Sequence, residues 1–219
     1  MSILSENQKK LIEIISKDKL ICDNFYFTGG TVLAEFYLQH RISEDLDFFS
    51  EKEFELQAIS VFFEKVKKEA KIKKVEYQQS FNRNLFFLEL ADGDKIKTEF
   101  TYFPFERIDK KNKIGNLHVD SLLDIAVNKI FTIYQKPRSR DFIDLYFILE
   151  RNKNLVLDEL VKETQIKFDN YIDPIQLGSQ YMKAKGLKDF PKMLVEIKEN
   201  TWQDFFISEA KKLSGRIIE

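Results

Sequence analysis

The sequence predicts an α+β fold, a mixed N-terminal half followed by an all-helical C-terminal half. Three observations carry this. Short runs of β-formers separated by turn residues recur up to about residue 100, at Phe25–Thr28, Leu46–Phe49, Leu85–Leu88 and Ile96–Phe100. Apolar residues at helical spacing dominate the remainder. Between the two, around residues 108–115, the composition shifts to a polar, charged stretch (RIDKKNKIG). The expected division is therefore residues 1–112 and 113–219.

The first twenty residues, MSILSENQKKLIEIISKDKL, read as an amphipathic helix and lack the apolar core of a signal peptide. Phe25, Tyr26, Phe27 and Thr28 then form a strand that stops at Gly29-Gly30. Glycine turns through angles closed to other residues and leaves no side chain in the way of an approaching phosphate. Thr31 is placed to cap a helix carrying Val32, Leu33, Phe36 and Tyr37 through Leu38. A helix N-terminus presents unpaired N–H groups, so strand–Gly-Gly–helix is a cradle for a triphosphate. Taken alone, Gly-Gly marks no more than a tight turn.

Asp45-Leu46-Asp47-Phe48-Phe49 reads as a short strand. Side chains alternate along a strand, so Asp45 and Asp47 share one face while Leu46 and Phe48 enter the core. Two carboxylates side by side raise each other's pKa unless a cation lies between them. Mg²⁺ takes oxygen ligands and bridges carboxylates to nucleotide phosphates. The alternatives are two solvated aspartates at a strand end, or pairing with Arg41. A third carboxylate is sought for a two-metal site. The runs Leu85–Leu88 and Ile96–Phe100 form a hairpin about Asp92-Gly93-Asp94, in which Lys97 and Glu99 share a face. Glu99 lies beside Asp45 and Asp47 if this strand is their neighbour; a hairpin charge facing water explains it equally well.

In the second half, Asp120-Ser121 precede a helix with the stripe Leu122, Leu123, Ile125, Ala126, Ile130 and Ile133. Lys129 lies within that stripe's span, where a lysine either snorkels to water or serves a cleft. Pro137 ends the helix, and the next starts at Ser139 or Arg140. Asp141 and Asp144, three apart, share a helical face. Asp141 also fits a first-turn acid, and Arg140 and Asp144 have the spacing of a structural ion pair. The tail, with Tyr171, Leu177, Tyr181, Met182, Met193, Leu194, Trp202, Phe205 and Phe206, reads as further helices packed over a cleft.

Four blocks in this order, Gly29-Gly30-Thr31, then His40 through Phe49, then Lys129, then Arg140-Asp141-Phe142-Ile143-Asp144-Leu145, resemble the AbiEii/AbiGii toxin family of nucleotidyltransferases over nearly the whole chain. The resemblance implies a polymerase-β-like nucleotidyltransferase domain with a mixed sheet, a helical second domain, and an active site between them. It implies catalytic roles for Asp45, Asp47, Lys129 and Asp144. Nucleotide contacts fall to Gly29, Gly30, Thr31, Lys129 and Arg140, and metal ligation to Asp45, Asp47 and Glu99. The cofactor is then Mg²⁺ or Mn²⁺ and the substrate a nucleoside triphosphate. The acceptor is RNA, a tRNA end in particular, within a toxin–antitoxin pair whose antitoxin is a partner protein. The alternatives are transfer to a protein hydroxyl, or a catalytically silent binding partner. Two features depart from the pattern. The third acidic position is glutamate rather than aspartate, and a formal net charge of −1 is low for a holder of polyanions. Local patches remain, at Lys136, Arg138 and Arg140 and along Lys65–Lys74, the latter reading as the solvated face and end of an amphipathic helix.

Composition excludes other classes. With 219 residues, 43% hydrophobic and 32% charged, the chain can bury one substantial core or two small ones. No apolar run reaches membrane-spanning length, so no membrane partner is expected. The single cysteine, Cys22, forms no intramolecular disulfide and fits a reducing cytoplasm. Two histidines, His40 and His118, lack zinc-ligand spacing. The 21 phenylalanines follow strand and helix patterns and read as core.

Overall fold

A computed structural model of the chain describes residues 2–198 and 200–217. The elements fall into two compact units, one comprising the chain up to Tyr37 together with Ser43–Ser121, the other Leu38–Ile42 and the chain from Leu122 onward.

In the first unit, helix α1 (Glu6–Ile15) opens on a capping box. The Ser5 hydroxyl accepts from the Gln8 backbone N–H, and the Gln8 side chain accepts from the Ser5 N–H. Helix α2 (Lys19–Asn24) leads into strand β1 (Tyr26–Thr28), then α3 (Gly29–Val32), which widens into π turns over Leu33–Leu38. Strand β2 (Leu46–Ser50), helix α4 (Leu56–Val66) and strands β3 (Ile72–Ser80), β4 (Arg83–Leu90), β5 (Lys95–Tyr102), β6 (Lys113–Ile114) and β7 (Leu117–Val119) complete the unit.

The seven strands form one mixed sheet in the order β3-β4-β5-β2-β1-β7-β6. Strand β2 lies parallel to β5 and antiparallel to β1, so the first half is α+β with a mixed sheet, as the pattern and the resemblance imply. Burial along β2 alternates, Leu46 and Phe48 fully buried, Asp47 and Phe49 half-buried. The buried face is aromatic: Phe48 stacks on Phe27 and on Phe100, and Phe63 of α4 packs against Phe86 and Phe100. The hairpin from β4 to β5 turns at Gly93, whose φ of +88° only glycine adopts without strain.

Two differences from the sequence reading have clear causes. The lysine run is not one amphipathic helix: Lys65 ends α4, whereas Lys73 and Lys74 lie on β3, an edge strand whose exposed residues mask its period. The boundary falls at Ser121/Leu122 rather than 112/113, because β6 and β7 extend the first unit's sheet, β7 running parallel to β1.

The second unit is helical: α5 (Leu122–Gln135), α6 (Ser139–Arg151), α7 (Leu157–Phe168), α8 (Pro174–Met182) and α9 (Thr201–Ile217). Phe142 of α6 packs against Trp202 and Phe206 of α9 and against Tyr181 of α8. Leu38–Ile42 belongs to this unit. Arg41 forms a β-bridge with Met193, and Arg151 donates to the Leu38 carbonyl. Among the described residues, no helix is long and apolar enough to cross a membrane.

Candidate active site

The first unit gathers the carboxylates. Asp47 pairs in register with Thr28 of β1 on one side and Glu99 of β5 on the other, so the strand neighbour required for Glu99 is present. Asp45 precedes β2 and accepts from Lys97 Nζ at 2.5 Å. Lys97 and Glu99, two apart on β5, therefore both face the acidic pair. Glu99 is 4% exposed, and its carboxylate is already engaged. Arg83 grips both its oxygens, with Nε 2.7 Å from Oε1, and Thr101 donates at 2.8 Å. Glu99 is thus a negative neighbour of Asp47 that accepts from Arg83 of β4 and Thr101 of β5.

Electrostatics sets Asp47 apart. Burial, the Glu99 charge and the Asp45 charge push its carboxyl up to about 7. Like charges held together in low dielectric favour either a proton or a cation.

Gly29 explains how the carboxylate comes so near the turn. Its φ is +83°, and a Cβ there would overlap Asp47 Oδ2 and stand 3.1 Å from Asp47 Cγ. Any side chain would thus occupy the carboxylate's place. Thr31 departs from expectation. It lies inside the helical segment rather than capping it, and its side chain is fully buried. Its hydroxyl lies 2.5 Å from the Asp45 carbonyl and 3.0 Å from the Ser43 hydroxyl. Thr31 therefore fixes the acidic loop, and its side chain is not presented to a phosphate. The cap position is Thr28, whose hydroxyl is turned to Asp120 at 2.6 Å.

Among the described residues, no three His, Cys, Asp or Glu side chains form a self-sufficient cation cage. Magnesium is commonly held by one or two carboxylates with phosphates and waters completing the shell. Asp45 and Asp47 suit that: hard oxygen donors, mutually repelling, beside a turn kept clear of side chains. The residues present fit a divalent cation.

The second unit centres on Asp144, fully buried on α6. Arg41 holds it with two parallel bonds, Nε–Oδ1 at 2.6 Å and Nη2–Oδ2 at 2.8 Å. Lys129 of α5 lies 2.6 Å from Oδ2, and His40 Nε2 2.8 Å from Oδ1. Lys129 also reaches Asp141 at 2.8 Å, and Arg138 donates to Asp141 at 2.8 Å. Burial alone raises both aspartates, but the neighbouring cations outweigh it. Lys129 and Arg41 hold Asp144 well below the usual carboxylate range, and Lys129 and Arg138 lower Asp141. Burial drives His40 down despite Asp144, so it is neutral near pH 7. Its Nε2–H then donates to Asp144, and Nδ1 is a buried acceptor with no partner among the described residues.

Lys129 and Asp144 are in direct contact. Lys129 keeps 12% of its side-chain exposure while Asp144 keeps none, so the lysine is the member able to meet a ligand. Arg140 does not pair with Asp144 despite the spacing; Arg41 and Lys129 occupy that carboxylate, and Arg140 stays exposed. Arg41 binds an acid 103 residues away rather than a local one. His40-Arg41 lies just upstream of the acidic doublet, within the block that carries the resemblance, and those were the signals that pointed to them. Nothing in the sequence marked Arg83 or Arg138 as partners of Glu99 and Asp141.

A sequence profile described as nucleotidyl transferase AbiEii toxin, type IV toxin–antitoxin system, matches residues 16–210. An uncharacterised protein of Aquifex aeolicus is 33% identical over 174 residues, 78% of each chain. The crystal structure of JHP933 from Helicobacter pylori superposes with a TM-score of 0.56 at 21% identity, covering 98% of this chain and 97% of that one. A second H. pylori structure, named as a candidate nucleotidyltransferase, gives a TM-score of 0.56 at 19% identity, over 95% and 98%. These two structural likenesses concern the fold.

Proposed function

Since the chain belongs to the AbiEii nucleotidyltransferase toxin family, we propose that it moves a nucleoside monophosphate from a nucleoside triphosphate to an RNA hydroxyl, a tRNA end in particular, with Asp45 and Asp47 holding Mg²⁺ or Mn²⁺. The observation that supports this reading most is the Gly29–Asp47 apposition. The turn is stripped of side chains at the point where the carboxylate with the raised pKa approaches it.

Asp45 and Asp47 would hold the cation, which when bound would supply charge neutralisation for phosphate oxygens. The Gly29-Gly30 turn receives the triphosphate tail on its backbone, and Thr31 keeps the Asp45 loop in register. Glu99, clamped by Arg83, adds negative field one strand away. In the helical unit, the resemblance assigns phosphate contact to Lys129 and the exposed Arg140. Asp144, with Arg41 and His40, orients Lys129. In phosphoryl transfer of this kind, positioning and charge neutralisation carry the step, as the acceptor oxygen bonds the α-phosphorus and pyrophosphate leaves. In this reading the activity is exercised in the cytoplasm and restrained by a cognate antitoxin protein.

The test is label transfer: purified protein, Mg²⁺ or Mn²⁺, and each α-labelled nucleoside triphosphate with total cellular RNA and protein. The expected result is label in a tRNA-sized band, absent with Asp45→Asn. Label on a polypeptide would move the acceptor to a protein hydroxyl, and no label in any band would overturn the reading.

A further inference from the structure

The acidic pair has a second flank. Strand β5 lies beside β2 on the side away from β1, and β4 and β3 follow. Register sets Lys97 opposite Phe87 and Phe87 opposite Glu76, so a row of side chains on one face runs from Asp45 through Lys97 to Phe87. The next row on that face is Lys95, Glu89 and Lys74. Between these rows is a cavity of about 190 Å³ lined by strands β3, β4 and β5. Half-buried Phe87 contributes its aromatic surface, and Lys95 and Lys97 stand on the edge nearest Asp45. Phe87 is unlike the two other phenylalanines on these strands. Phe86 and Phe100 are buried among rings, whereas Phe87 has none of the aromatic contacts they make.

We propose that this cavity stacks a base of the acceptor RNA, next to the nucleotide bearing the reacting hydroxyl, with Lys95 and Lys97 on the intervening phosphate. This rests on the transfer reading above, in which the triphosphate tail occupies Gly29-Gly30 at the end of β1. A displacement at phosphorus runs in line, with the nucleophile opposite the leaving group. With pyrophosphate on the β1 side of the carboxylates, the acceptor enters from the β5 side, where the cavity lies. Phe87 is two strands from β2, about 10 Å at normal strand spacing, the span of a neighbouring nucleotide. An aromatic face with flanking lysines binds single-stranded RNA with little sequence preference, because every base has a face to stack. Such a confined patch also suits a chain whose net charge does not favour polyanions in general.

The experiment uses the full chain and a short single-stranded RNA carrying the fluorescent base aminopurine at its penultimate position. Stacking on Phe87 quenches that base on binding. Phe87→Ala and Phe87→Leu, the latter keeping apolar volume while removing the ring, are expected to lose the quench and weaken binding about tenfold, with Phe87→Trp restoring both. Lys95→Ala is expected to flatten the salt dependence of binding. Stabilisation by Mg²⁺ and nucleoside triphosphate is expected to be unchanged in all four. Unchanged quenching in Phe87→Leu, or no RNA binding by the parent protein, overturns the inference. So does loss of triphosphate stabilisation in place of RNA affinity, which would assign the cavity to the incoming base. RNA bound and quenched without label transfer upholds the cavity and removes the transfer reading, and transfer to RNA that ignores the Phe87 variants does the reverse.

Discussion

Gly29 and Asp47 share one volume: the space that a side chain at residue 29 would require is filled by the carboxylate of residue 47. The turn at the end of β1 and the acidic strand β2 are thus mutually dependent, one lacking a Cβ so that the other can carry its charge there.

Gly29→Ala meets both a φ of +83° and the Asp47 carboxylate. A strained backbone of this sort costs about 1–3 kcal/mol, and the displaced carboxylate no longer stands where the cation is needed. Chemical denaturation is expected to show a loss of that size and label transfer a near-complete loss. Gly93→Ala, at an open turn of similar φ, is the control and is expected to lose stability alone.

Asp47 titrates near 7 when folded, far above an unfolded aspartate. The folded state therefore binds the extra proton across that interval, and stability without metal falls as pH rises through it. A divalent cation competes with that proton. Thermal melts are expected to show greater stabilisation by Mg²⁺ above about pH 8 than below about pH 6. Asp47→Asn is expected to remove both the fall in metal-free stability as pH rises toward about 7 and the response to Mg²⁺.

Asp144 is the opposite case. Its carboxyl is held well below the ordinary range against the cost of burial, so its contribution is fully present above the unfolded value and is lost as pH falls through the lowered one. Removing it with Asp144→Ala takes the carboxylate from buried Arg41 and leaves Lys129 with Asp141 alone, a change typically costing about 3–5 kcal/mol. Urea titrations are expected to show such a loss, larger than that of Lys129→Ala, whose side chain retains a path to solvent.

Arg140 separates ligand contact from folding. It is exposed at the start of α6 and forms no ion pair among the described residues. Arg140→Ala is expected to leave stability within about 0.5 kcal/mol while raising the KM for nucleoside triphosphate several-fold. Unchanged kinetics would remove Arg140 from the site.

Much was readable from the chain because the signals are local. The glycine pair after a β-rich run, the alternation about Asp45 and Asp47, the turn at Gly93 and the break at Pro137 each declare themselves within a few residues. The edge strand β3 was hidden, since a strand with one open side keeps polar residues where a period would show. The π turns after Val32 also escaped, and they leave Phe36 exposed although helical spacing counted it with the apolar stripe.

The α+β class, the order of the blocks and the shared face of Asp45 and Asp47 were legible along the chain, because dihedral preference and side-chain period act over short separations. Which charges meet is settled by packing between distant segments. Lys97 binds Asp45, Arg83 takes Glu99, and Arg41 and His40 close on Asp144 from more than a hundred residues away. Such pairings follow from strand order and helix packing, which bring distant residues into contact; around Asp144, where His40 and Arg41 are buried with it, burial makes the partners compulsory.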